Sequence, residues 1–213
     1  IRGIAEKYNL PVHTHVGSGI ARDWNEGMHI PNTKYITIAH QDDIYCPDYL
    51  KTCLEMFQKN PTGLIAFTDY DEIKDDQVLN KSINLKIKRV LLAPIKWFPK
   101  SKFVRRRSLS LGSAICCPAV TYNMALLGDF QFDSDYTVDL DWEAWTRISK
   151  MAGAFCYSDQ SLMYHRIHES SETSNAIANN QRTKEDRIMF QKYWPNFIVN
   201  ILMRFYVKSQ DTN

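Results

Sequence analysis

The run Tyr35-Ile36-Thr37-Ile38-Ala39, with His40-Gln41-Asp42-Asp43 directly after it, constrains this chain more than any other segment. An apolar, β-branched stretch bounded upstream by Pro31-Asn32 predicts a buried strand. Its end delivers two adjacent carboxylates to the edge of a sheet, where open α/β folds bind ligands. Neighbouring carboxylates repel each other unless a cation sits between them. Oxygen donors in that position suit Mg²⁺ or Mn²⁺, commonly shared with a substrate phosphate. A plainer reading exists. Pro47-Asp48-Tyr49-Leu50 opens a helix just afterwards, and acidic residues are favoured at helix N-termini. The pair alone does not choose between the two.

The surrounding pattern alternates. Residues 1–9 read as the end of a helix, 12–16 as a short strand, 20–29 as a helix, 34–39 as the strand above, 47–59 as a helix and 64–70 as a buried strand. That order predicts an α/β fold with a mostly parallel sheet and right-handed crossovers. A length of 213 residues suits one domain. Beyond residue 80 the pattern is interrupted. Leu85, Ile87, Val90 and Leu91 predict an amphipathic helix ended by Pro94. Residues 113–117 read as a strand, 121–127 as a helix and 139–151 as a helix. Residues 154–157 and 162–165 read as short strands. A polar loop at 169–180 leads to a helical tail over 183–208, broken or kinked at Pro195.

Charge matters through its distribution, since the net charge is only +2. No acidic residue lies between Asp76 and Asp129, yet Lys81, Lys86, Lys88, Arg89, Lys96, Lys100, Lys102, Arg105, Arg106 and Arg107 all do. Trp97 and Phe98 sit among these cations. The stretch reads as a solvated connection, or as a contact for an anionic membrane or a lipid-diphosphate acceptor. No nucleic-acid recognition motif accompanies it, so nucleic acid is set aside. The five cysteines are odd in number and show no CxxC spacing, which argues against a disulfide framework or zinc site and for a reducing compartment. No run of about 18 apolar residues is present, so no membrane span is expected. Nothing reads as a signal peptide. The sequence opens mid-helix without Met, and is read as truncated at its N-terminus.

Two further constellations carry chemistry. In Asp139-Leu140-Asp141-Trp142-Glu143-Ala144-Trp145-Thr146-Arg147 the acids suit the first turn of a helix. A carboxylate there also suits a general base for a hydroxyl. In Tyr164-His165-Arg166-Ile167-His168-Glu169-Ser170-Ser171-Glu172-Thr173 a strand enters a loop rich in His, Arg and hydroxyls. Arg166 suits phosphate and a neutral His168 suits a metal, although an ordinary polar loop has the same composition.

Taken in order, these segments resemble family 2 glycosyltransferases of the GT-A fold. HQDDIY resembles the family's DxD-type motif, LDWEAWTR its downstream Glu-Asp-Trp motif, and YHRIHESSET its later YRxH-type element. The resemblance covers roughly residues 12–60 and 110–175. It implies a GT-A-like, Rossmann-like sheet lacking its first nucleotide-binding strand, so that nucleotide binding by the chain as given would be incomplete. It implies a Mn²⁺ or Mg²⁺ ion on Asp43 with His168 as a further ligand or diphosphate contact. Asp42, Asn25 and Arg166 would contact the nucleotide sugar, most commonly a UDP-sugar. Asp141 would be the catalytic base, with Trp142 and Arg147 near a saccharide or lipid-linked acceptor. The implied layout is a nucleotide and metal half over 1–80, a basic connection over 81–110, an acceptor half over 111–175 and a helical tail over 176–213. The implied setting is the cytoplasm, at the inner face of a membrane touched through 86–107, in bacterial surface polysaccharide or glycolipid synthesis. His40 stands where the family has its first motif Asp, Leu140 where it has Glu, and Trp24 where it often has Arg. A metal-dependent phosphohydrolase and a non-catalytic, glycan-binding remnant of the fold are the competing readings.

Overall fold

The computed structural model describes residues 2–14, 16–17, 19–79, 83–167 and 181–210. Two long strands form its spine. β3 (Gly63–Lys74) and β6 (Ala154–Arg166) lie side by side in parallel. Strand β5 (Val120–Asn123) pairs antiparallel with β3 on the other side, and β1 (Tyr35–Thr37) pairs antiparallel with β5. The short β2 (Ile44–Tyr45) closes the far edge against β6, giving the order β1-β5-β3-β6-β2. β4 (Gln77–Val78) forms a hairpin with the end of β3.

Side-chain alternation explains why the spine is buried on both faces. Ile65, Phe67, Phe155 and Tyr157 point to one side, while Ala66, Ala154 and Cys156 point to the other. The small-residue side receives α3 (Tyr49–Lys59) through Tyr49, Cys53 and Phe57, which recur every fourth residue and so share one face. The approach is close enough to require Gly63. A Cβ there would meet the Phe57 ring at 2.8 Å and Cys156 Sγ at 2.9 Å. The opposite side holds the main core, where α7 (Leu140–Ile148) buries Trp142, Trp145 and Ile148. The remaining helices are α1 (Arg2–Lys7), α2 (Ile20–His29), α4 (Ile83–Trp97), α5 (Lys102–Ser108), α6 (Met124–Leu127), α8 (Gln181–Gln191) and α9 (Asn196–Gln210).

The α/β class expected from the sequence is the one found, but the sheet is mixed. β1, β3 and β6 run in one direction, as the early alternation predicts, yet among the described residues β3 and β6 make the one parallel pair. The strand inserted between β1 and β3 comes from far downstream and runs backwards. It was also misplaced. Residues 113–117 are not a strand, because Pro118 opens a 3₁₀ turn at Cys117–Ala119 and the strand begins only at Val120. Residues 10–14 form no strand either. Pro94 does not end α4, since it falls in the last turn, and its carbonyl still accepts the Phe98 N–H at 3.1 Å. The two short strands expected after residue 153 are one, continuous through register shifts near Asp69. Pro195 does split the tail into α8 and α9.

Candidate active site

The loop leaving β1 carries His40, Asp42 and Asp43, and β2 pins its far end to β6. The Asp43 side chain is fully buried there. Its Oδ1 accepts the backbone N–H of Arg166 at 2.9 Å and lies 3.0 Å from His165 Nδ1. Its Oδ2 has no hydrogen-bond partner among the described residues and sits 3.7 Å from His40 Nδ1. His40 Nε2 is likewise buried without a hydrogen-bond partner among them. One donor atom each from His40, Asp42 and Asp43 fall within 4.8 Å of one another. Leaving a buried carboxylate oxygen and an imidazole nitrogen unsatisfied costs free energy, and such groups normally find a partner. A divalent cation fits this donor set. Trp24 stacks on His40 with ring centroids 5.4 Å apart, which fixes the imidazole plane. Burial, opposed by the nearby Asp43, lowers the His40 pKa and favours the neutral ring that a metal requires.

Arg166 braces the loop from β6. Its Nε donates to the Asp42 carbonyl at 3.0 Å and its Nη1 to Asp76 at 2.8 Å. Asp76 is exposed, so this second pair is a rim contact that a ligand phosphate could exchange for.

Asp141 stands in the first turn of α7, half-buried. Oδ1 accepts the Trp142 N–H at 2.6 Å and Oδ2 accepts the Ser113 hydroxyl at 3.1 Å. Burial raises its pKa, and those two hydrogen bonds with the cations of Lys88 and Arg182 oppose the rise. The helix start is held from an unexpected direction. Glu185 on α8 accepts the backbone N–H groups of Thr137, Val138 and Asp139 and the Thr137 hydroxyl, at 2.8–3.2 Å. Asp139, which stands at the N-cap position and not in the first turn, makes no side-chain cap bond. The turn at 116–118 lies between the two acidic centres. Burial pushes the thiols of Cys116 and Cys117 upward, and both Asp43 and Asp141 add to the push. On the Asp43 side, Tyr45 donates its hydroxyl to the Pro118 carbonyl at 2.6 Å.

Residues 2–124 match the family model described as Glycosyl transferase family 2. The chain belongs to this family. A search of curated proteins returns no match. Among solved structures, S. aureus TarS 1–349 in complex with UDP-GlcNAc superposes with a TM-score of 0.59 at 15% identity, over 95% of this chain and 57% of that one. A second structure of TarS 1–349 gives 0.58 at 13% identity, over 95% and 56%. At such identity the likeness shows the shared fold. The chain spans a little over half the length of those TarS chains.

Several family 2 motif positions turn out to be structural. The Asn25 amide donates to the Phe132 carbonyl at 2.9 Å and accepts the Phe132 N–H at 2.7 Å, so it clamps the loop at Phe132. Trp142 is fully buried and donates its indole N–H to the Leu109 carbonyl at 2.8 Å, so it belongs to the core and not to an acceptor surface. Arg147 bonds Glu143 and the Gln131 carbonyl, both at 2.6 Å, and lies over the Phe130 ring. His168 lies outside the described residues. His165, Ser113 and Glu185 were missed, and His40 was noted as a departure from the motif without being named as a ligand. Only His40 had a local signal, since it occupies the first position of a DxD-like triplet.

Proposed function

We propose that this family 2 chain transfers a sugar from a nucleoside-diphosphate donor to an acceptor hydroxyl, with inversion at the sugar carbon. The observation that carries the reading is the buried Asp43 Oδ2, without a hydrogen-bond partner among the described residues, in a group with His40 and Asp42 whose donor atoms lie within 4.8 Å of one another. His40, Asp42 and Asp43 would hold Mn²⁺ or Mg²⁺, with His168 as a further ligand. A cation bound there neutralises the charge that develops on the departing diphosphate. Arg166 and Asp42 border the donor. A UDP-sugar is the donor class we favour, because TarS binds UDP-GlcNAc in the structure whose fold this chain shares.

Asp141 is the proposed base. Its Oδ2, oriented by the Ser113 hydroxyl, takes the proton of the acceptor hydroxyl as the new glycosidic bond forms. One base opposite the leaving group produces a single displacement, hence inversion. Holding two bound substrates in line supplies much of the remaining rate. Arg147, on the exposed side of α7, is the remaining candidate for acceptor contact. Residues 1–80 then serve the donor and metal, and 111–175 the acceptor. The acceptor class, a saccharide or lipid-linked saccharide of bacterial surface polysaccharide or glycolipid synthesis, follows from the family resemblance. The five free cysteines suit a reducing, cytoplasmic setting. No helix among the described residues is long and apolar enough to cross a membrane.

Asp141→Asn tests the assignment. Turnover should fall by about 10²–10⁴-fold. Calorimetric donor affinity in Mn²⁺ should be unchanged. Retained turnover would remove Asp141 from the mechanism. Release of inorganic phosphate from the donor without any acceptor would identify a phosphohydrolase instead.

A further inference from the structure

The outward face of α4 breaks the rule for surface helices. Leu85, Leu92 and Ile95 already bury its inner face. A helix so placed normally presents charge to water on the opposite side. Here the opposite side reads Ile83, Ile87, Val90, Pro94 and Trp97, spaced four and three residues apart along one stripe. Ile83 and Val90 are each 72% exposed and Trp97 is 70% exposed. The stripe continues around the corner into α5 with Phe98, and with Phe103 at 69% exposure. A contiguous exposed apolar patch marks an interaction surface.

The charge around it selects the partner. Lys86 borders a shallow apolar hollow made by Ile83, Ile87, Val90 and Leu91. Lys100 and Lys102 are exposed at the corner, and Arg107 lies over the Phe103 ring. No acidic residue occurs anywhere from 77 to 128. Two cations of the stretch are already paired, Lys96 with Asp159 from β6 at 2.6 Å and Arg89 with Asp69 and Asp71 of β3. A second copy docking by two-fold symmetry would set Lys86, Lys100 and Lys102 against their own images, which like charge disfavours. An anionic lipid surface meets both requirements. It accepts aliphatic side chains and a tryptophan at the headgroup boundary, and it attracts the lysines.

We propose that the α4 stripe and the corner at 97–103 form a docking surface for an anionic membrane, with α4 lying in the plane of the interface. The inference is independent of the transferase reading, because it involves none of the residues at the acidic site. It extends the basic-segment contact to a defined face with named anchors.

Co-sedimentation of the full chain with vesicles tests it. Vesicles of equimolar phosphatidylcholine and phosphatidylglycerol should capture the protein, and phosphatidylcholine alone should not. Lys100→Gln with Lys102→Gln should lower partitioning by about thirtyfold, at about fivefold per basic residue removed. Ile87→Glu with Val90→Glu should abolish capture. Both substituted positions of that pair face outward, so circular dichroism and the melting temperature should be unchanged. Leu50→Glu on the exposed side of α3 should leave capture intact. Three results would overturn the proposal. They are no capture by anionic vesicles, equal capture of the wild-type and stripe variants, or a dimer in solution that Ile87→Glu dissolves while vesicles capture neither form.

Discussion

Asp43 is gripped on one oxygen and left open on the other, and that asymmetry orders the acidic site. Oδ1 is fixed by the Arg166 N–H and lies against His165, so Oδ2 cannot turn away from His40. An imidazole in place of the first motif carboxylate would, under the proposed metal reading, change which metals the site prefers. A nitrogen donor with two carboxylates favours Mn²⁺ over Mg²⁺ more than three carboxylates would. His40→Ala is expected to weaken Mn²⁺ binding by at least about tenfold, measured by calorimetry or by the Mn²⁺ electron-spin signal. His40→Asp should move the preference toward Mg²⁺, and an unchanged Mn²⁺ to Mg²⁺ ratio would show that His40 is not a ligand. The Asp42–Asp43 pair and Asp141 were legible because a strand end and a helix start are local patterns. The orphaned nitrogen of His40 was not, since it depends on burial under Trp24. Nor was the engagement of Asn25, whose partner is a backbone amide more than a hundred residues away.

At the scale of elements, α8 acts as the latch of α7. Glu185 occupies the place that an N-cap side chain usually fills, and gathers three backbone N–H groups. Burial raises its pKa, but the hydrogen bonds from Asp139, Gln181, Val138 and Thr137 outweigh that and leave it lowered. A lowered carboxylate pKa contributes stability that is present above the unfolded value and lost as pH falls through the folded one. Glu185→Ala is expected to destabilise the chain by about 2–4 kcal/mol, because buried donors lose their partner. It should also lower kcat by loosening Asp141, while Mn²⁺ affinity at the other acidic loop stays the same. Denaturant melts and metal titration of the variant separate these effects, and a loss of Mn²⁺ affinity would contradict the latch. Sequence reading found α2, α3, α7 and the break at Pro195 because helix periodicity is a local property. It misplaced β5 because Cys116-Cys117-Pro118 continues an apolar run that the proline bends into a 3₁₀ turn. It missed Glu185 because nothing in QRTKEDRIMFQ marks one acid as a cap for a helix earlier in the chain.

Across the whole molecule, β3 and β6 bring an early loop and a late helix onto one rim, and the cost is a concentration of negative charge. Asp139 is buried beside Asp141, and beside Asp186 of α8, with Arg182 as the opposing cation. Burial first, and then these carboxylates, push its pKa well above the ordinary value. The direction is opposite to that of Glu185. A carboxyl group whose folded pKa is raised binds its proton more tightly folded than unfolded. Its penalty is therefore absent below the unfolded value, grows as pH rises toward the folded one, and is complete above it. Asp139→Asn keeps the shape and the backbone N–H that Glu185 holds, and removes only the ionisable proton. The variant should match the wild type in melting temperature at strongly acid pH and exceed it increasingly as pH rises above the ordinary carboxylate range. Asp139 is raised further than Asp141, so it still carries its proton, and no charge, while Asp141 ionises. The acid limb of the kcat profile, set above the usual carboxylate range by the burial of Asp141, should therefore keep its position in that variant. Parallel pH series of melting temperature and kcat decide the matter. A variant less stable than wild type at neutral pH would mean that Asp139 is held ionised by Arg182, and the charge balance of the rim would have to be reassigned.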